Sequence, residues 1–250
     1  MTGCSERSVQ HGRHQWLVRE LGTAGKTAAE AIMVPGLGSG EYLLPHAELL
    51  ARSRRVLIPD MPGFGATPAP QRLRTIEEYG DALVELITGE ATEPVDLLGN
   101  SFGTQIALCA AQMRPDLVRR LVLVGPTFDA RARSYAHSLG RWLLTAPIEP
   151  PSLALSLARS YLKCGVRTPA LAFRAAMKDR PEDRIAGLPH PILLVRGCRD
   201  RIAPGRWLRD LAGRAQHAEI AELPGVAHTV DYAAPARIAA ITEAFLDRPG

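Results

Sequence analysis

The 250-residue sequence holds few cysteines and no framework built from them. Cys4, Cys109, Cys164 and Cys198 form no C-x-x-C pair and stand in no His/Cys spacing suited to zinc. Reduced thiols, mostly buried, are expected, and no metal. Long apolar runs are also missing. No stretch reaches the ~18 apolar residues that a membrane span needs. The opening residues, MTGCSERSVQHGRHQW, lack the apolar segment of a secretory signal. A soluble, cytoplasmic protein without a membrane partner is therefore expected. A one-sided charge is absent too. The 30 basic and 26 acidic residues leave a net charge of +4, too small and too scattered to point to nucleic acid. Internal repeats and low-complexity tracts are lacking, which excludes solenoids and disordered tails.

What remains is an ordinary globular composition, 46% hydrophobic and 22% charged, in a chain long enough to bury a full core. Short β-branched runs cut by Gly or Pro recur at 31–34, 56–58, 95–98, 121–124 and 192–195. Runs of this kind read as buried parallel strands. Residues 219–223 read as an edge strand, and 16–18 as an antiparallel strand leading into the sheet. Helical periodicity fills the gaps. Thr75 and Glu78 form a capping box ahead of Ile76, Tyr79, Leu83, Leu86 and Ile87. Ile106, Cys109, Ala110 and Met113 share one helical face, and Pro235 opens a helix carrying Ile238, Ile241 and Phe245. Strand–helix alternation predicts an α/β fold, a mostly parallel sheet with helices on both faces. The alternation breaks once, at 128–187, where the pattern is helical and punctuated by prolines. A structureless loop of that length is improbable. The segment therefore reads as a helical insertion, a cap, in a core made of 1–127 and 188–250.

The sharpest motif is Gly99-Asn100-Ser101-Phe102-Gly103. It follows a predicted strand directly and runs into a predicted helix. A G-x-S-x-G motif in that setting places a serine in a strained turn with its hydroxyl exposed. The glycines leave room where a Cβ would clash, and the helix N-terminus faces the place where negative charge develops. Without that setting the same five residues would be an ordinary Gly/Ser turn.

With this motif in place, the sequence resembles the α/β-hydrolase superfamily over nearly its whole length. Val34-Pro35-Gly36-Leu37-Gly38 resembles the loop after the third strand of that family, and Asp60-Met61-Pro62-Gly63-Phe64-Gly65 its D-x-P-G-x-G stretch. The resemblance implies a nucleophile, an acid and a histidine in that chain order. Ser101 takes the first place. Pro224-Gly225-Val226-Ala227-His228 precedes the final helix and resembles the family's G-x-x-H ending, which makes His228 the general base. Gly197-Cys198-Arg199-Asp200-Arg201-Ile202-Ala203-Pro204 resembles G-x-x-D-x-x-x-P and offers Asp200 as the acid; Asp129 stands near the place that some relatives use instead. The resemblance also implies an oxyanion hole made by the Phe102 N–H and by an N–H of the loop after the third strand, Leu37 or Gly38. Pro35 departs from the pattern, since many relatives carry a histidine there. Asp60 is expected to hold loop N–H groups around Gly63 and Gly65. Cys109 and Cys198 are read as packing residues.

A serine hydrolase follows, acting on an ester-type acyl bond of a small, partly apolar substrate, with no cofactor. Carbon–carbon bond hydrolases share the Gly-Asn-Ser and 60–65 features. Here, however, Thr104 replaces a usual second glycine and their G-x-G-P-G loop is absent. Elimination by a His–Asp base and a non-catalytic ligand-binding module stay open as further readings.

Overall fold

The computed structural model describes residues 3–23, 28–69, 75–165 and 167–249. Among them eight strands form one sheet in the order β1-β2-β4-β3-β5-β6-β7-β8. The strands are β1 (Ser5–His11), β2 (His14–Leu21), β3 (Ala31–Val34), β4 (Val56–Pro59), β5 (Val95–Asn100), β6 (Val118–Val124), β7 (Ile192–Gly197) and β8 (Ala218–Leu223). The pairings β1–β2 and β2–β4 are antiparallel, and all others are parallel. This is the fold class that the sequence predicts.

The central strands read as continuous apolar runs because both of their faces are covered. Ile32 and Val34 point into one core layer, while Ala31 and Met33 point into the other. The first layer is closed by α2 (Ile76–Glu90), α3 (Phe102–Met113) and α8 (Gly205–Ala212). The second is closed by α1 (Leu44–Leu50) and α10 (Pro235–Leu246). Thr75 and Glu78 exchange both capping-box hydrogen bonds, a start signal of about 1 kcal/mol. On α3, Ile106, Cys109 and Ala110 are fully buried; Met113, assigned to the same face, is the last residue of the helix and is 41% exposed. The thiols depart from expectation as well. Only Cys109 is buried, and Cys198 is exposed in the loop after β7.

Between β6 and β7 the described residues contain no strand. The chain there forms α4 (Tyr135–Thr145), α5 (Pro151–Cys164), α6 (Arg167–Lys178) and α7 (Pro181–Ile185). A one-turn helix, α9 (Val230–Ala233), follows the loop that carries His228. No helix among the described residues is long and apolar enough to cross a membrane.

Candidate active site

Ser101 lies between β5 and α3, and its backbone is unusual. Its φ is +53°, the only positive φ of a non-glycine residue among those described. An L-residue held there is strained by ~1–3 kcal/mol. The surroundings impose it. The Ser101 N–H donates to Val124 O at 2.8 Å, and the Ser101 carbonyl accepts from Thr104 Oγ1 at 2.6 Å. A Cβ on Gly103 would come within 2.2 Å of Val34 O and 2.6 Å of Pro35 O. The glycine lets the start of α3 press against the end of β3, which sets the two loops side by side.

Three side chains distant in sequence meet at the carboxyl edge of the sheet. Ser101 Oγ is 2.9 Å from His228 Nε2. His228 Nδ1 is 2.8 Å from Asp200 Oδ2. The other carboxylate oxygen of Asp200 accepts the Ile202 N–H at 2.7 Å and the Ala203 N–H at 3.0 Å. With both oxygens engaged, the carboxylate cannot rotate away from the ring, and it holds a proton on Nδ1 so that Nε2 is free to take one from the serine. Burial alone would push the His228 imidazole down. The charge and hydrogen bond of Asp200, with Glu149 and Asp231 behind it, outweigh that and hold it above the usual histidine value.

Asp129, the other candidate acid, is engaged elsewhere. Arg141 reaches it at 2.9 Å, Arg206 forms a second ion pair with it, and the Arg131 N–H donates to it at 3.0 Å. Burial would raise its carboxyl, but Arg206, the Arg131 N–H and Arg141 together hold it below the usual carboxylate range.

The Phe102 and Leu37 N–H groups make no hydrogen bond to another described group. The Gly38 N–H donates to Gly36 O at 2.9 Å. Of the two candidates in the loop after β3, Leu37 is thus the one with a free donor. A buried chain of hydrogen bonds stands behind it. The Gly36 N–H donates to Tyr42 Oη at 2.6 Å, and Tyr42 Oη donates to Asn100 Oδ1 at 2.8 Å. Asn100 Nδ2 then donates to Asp231 Oδ2, and His46 Nδ1 to Asp231 Oδ1, both at 2.7 Å. Burial pushes the Tyr42 phenol up, so it stays a donor. The sequence did not reveal this chain.

Asp60 is structural, and one of its partners, the Ala66 N–H beside Gly65, is a loop group of the expected kind. It accepts from Arg19 and from the Gly40 N–H, each at 2.7 Å, and from the Ala66 N–H at 3.3 Å. The Gly63 N–H instead donates to Pro68 O. Gly40 reaches Asp60 because the loop after β3 folds back over the end of β4.

Ser101 and His228 open into a cavity of about 400 Å³. Leu37, Phe128, Leu153, Leu157, Phe173 and Ile202 supply apolar wall, while Asp129, Arg141 and Glu149 bring charge. Leu143, Leu144 and Leu155, between β6 and β7, are more than half exposed to solvent. The segment between β6 and β7 also touches the loops of the site. Tyr161 Oη donates to Leu37 O at 2.9 Å, and the Ser39 N–H donates to Ser160 Oγ at 2.8 Å. Among the described residues, no group of three or more His, Cys, Asp or Glu side chains is placed to hold a metal ion.

Comparison with known proteins agrees with this architecture. The family model described as the alpha/beta hydrolase family matches residues 31–241. The chain is 28% identical over 242 residues to the 2-hydroxymuconate semialdehyde hydrolase of Pseudomonas sp. (strain CF600), covering 86% of each chain. It is 29% identical over 228 residues to the pimeloyl-[acyl-carrier protein] methyl ester esterase of Chromobacterium violaceum, covering 80% of this chain and 87% of that one. Among solved structures, the 2-hydroxy-6-oxo-6-phenylhexa-2,4-dienoate hydrolase of Rhodococcus sp. strain RHA1 superposes with a TM-score of 0.81 at 19% identity, over 99% of this chain and 100% of that one. That likeness speaks to the fold.

Proposed function

The chain belongs to the alpha/beta hydrolase family and is an enzyme, and from that premise we propose that it is a serine hydrolase cleaving an ester-type acyl bond of a small, partly apolar molecule. The contact of Ser101 Oγ with His228 Nε2, backed by Asp200, carries this reading. His228 takes the Ser101 proton as Oγ attacks the acyl carbon. The oxyanion forms against the Phe102 and Leu37 N–H groups, each worth ~3 kcal/mol of barrier. The imidazolium returns the proton to the departing alcohol or thiol, leaving an acyl-serine. Water then gives a proton to His228, attacks the acyl carbon, and frees the acid and Ser101. The helices over 128–187 act as a cap that closes the cavity and selects the substrate.

A second reading uses the same residues on another bond. The likeness to 2-hydroxymuconate semialdehyde hydrolase supports hydrolysis of a carbon–carbon bond beside a carbonyl group. A panel of p-nitrophenyl esters of increasing acyl length, run on wild type and Ser101→Ala beside a ring-fission dienone, separates the two. Ester turnover lost in Ser101→Ala supports acyl transfer. Dienone cleavage without ester turnover would transfer the assignment to the second reading, and near-full activity of Ser101→Ala would remove the serine from either.

A further inference from the structure

Glu149 lies between α4 and α5, just before the Pro150–Pro151 pair that opens α5. Its carboxylate crosses to the loop that bears the base. Oε1 accepts the His228 N–H at 2.7 Å and the Thr229 N–H at 2.8 Å. Two consecutive N–H groups converging on one oxygen form a small anion-holding concavity. Oε2 is buried with no partner among the described residues. A side chain 79 residues away in sequence thus fixes the backbone from which the His228 ring projects. Glutamine would accept the same two hydrogen bonds, so the carboxylate adds something that hydrogen bonding alone does not require.

We propose that Glu149 is a positioning residue for the His228 base: it sets the backbone of the base loop and places negative charge beside the imidazolium that forms when Ser101 attacks. This rests on the serine-hydrolase reading above. The groups facing the ring allow it. Asp200 stands on Nδ1, Ser101 on Nε2, and Glu149 and Asp231 lie further out as the remaining carboxylates. Asp129 and Arg141 face the same cavity but are paired with each other, Asp129 also with Arg206, and Asp231 is bonded to His46. Positive charge on the ring therefore meets three carboxylates, and Glu149 is the one contributed by the segment between β6 and β7. That segment also holds the Leu37 loop, through Tyr161 and Ser160. Base and oxyanion donor are thereby anchored from the same side.

The test needs no identified substrate. The rate at which a fluorophosphonate labels Ser101 is followed across pH in wild type, Glu149→Gln and Glu149→Ala, with thermal melting as a check on folding. In wild type the rate rises with pH through one ionisation to a plateau. Glu149→Gln is expected to hold the plateau within about threefold and to move the ionisation to lower pH, because a negative charge has left the ring. Glu149→Ala is expected to lower the plateau about tenfold or more, part of the ~10²–10⁴ that a positioned base supplies. An unmoved ionisation in Glu149→Gln overturns the proposal even if the alanine variant fails to fold. Wild-type plateaus in both variants overturn it too. A wild type that is never labelled at Ser101 refutes the serine-hydrolase reading instead.

Discussion

Gly125 stands directly against the His228 ring. A Cβ on Gly125 would fall 2.9 Å from Cε1 and 3.0 Å from Nδ1, and the residue holds a φ of +59°. The turn after β6 thus forms the floor on which the imidazole lies. Gly125→Ala is expected to displace the ring from Ser101 and to cost about 1 kcal/mol or more of stability through the left-handed backbone. Ester turnover should fall at least tenfold, with the melting temperature lowered by several degrees. Steady-state kinetics and a thermal melt check both.

Asp200 and Asp129 are both buried carboxylates near the site, yet only Asp200 meets the His228 ring. Asp200→Asn should lower kcat by about 10³–10⁴-fold, since the amide no longer favours the tautomer with Nε2 free. Asp129→Asn leaves Arg141 and Arg206 facing a neutral group and should act mainly on stability. Equal losses of kcat in the two variants would contradict this assignment.

The His228 pKa is raised, so the base is protonated up to a pH above the ordinary histidine value of 6.5. The specificity constant kcat/KM is expected to fall as pH drops through that raised value and to be flat above it. The same shift favours the folded state at low pH. Its contribution is full below 6.5 and is lost as pH rises through the folded value. A pH–rate profile, with melting followed at the same pH values, reads both effects; an activity limb below 6.5 would show that the carboxylates do not outweigh burial.

Tyr161 donates to the carbonyl of the residue proposed as an oxyanion donor. Burial pushes its phenol up, so it remains a donor at neutral pH. Tyr161→Phe deletes one hydrogen bond worth about 0.5–1.5 kcal/mol. The expected result is a kcat lowered about two- to tenfold with KM nearly constant. A change confined to KM would make Tyr161 a wall of the pocket and nothing more.

Arg19 and Asp60 form a buried pair, 2% and 0% exposed, that ties β2 to the end of β4. Arg19→Met would strand the carboxylate that holds the Gly40 N–H, at a cost of about 3–5 kcal/mol. Chemical denaturation measures it, and a loss under 1 kcal/mol would mean that solvent reaches Asp60.

The strands that position the site were readable because burial on both faces leaves a simple trace, an unbroken apolar run ended by Gly or Pro. The elbow was readable because its glycines answer a backbone constraint at fixed spacing. Strand β1 left no such trace. Ser5–His11 has Val9 as its one aliphatic residue and pairs at the sheet edge through backbone bonds, with Arg7 bonded to Glu20. The supports of the site were hidden for another reason. Tyr42, Asn100, Asp231 and His46 bond across separations of 58 to 185 residues, and each alone resembles any buried polar residue. Glu149 lies in a proline-rich stretch whose sequence gives no sign that its carboxylate meets the base loop. Asp60 is legible as structural from its loop motif, but its bonds to Arg19 and to the Gly40 N–H depend on how the loop after β3 folds back.

The most direct test of the whole account is the intact mass of the protein after incubation with a fluorophosphonate, followed by peptide mapping. One adduct per chain, located on Ser101, is expected, and none in the Ser101→Ala or His228→Ala variants. An unchanged mass in the wild type, or an adduct on another residue, would contradict it.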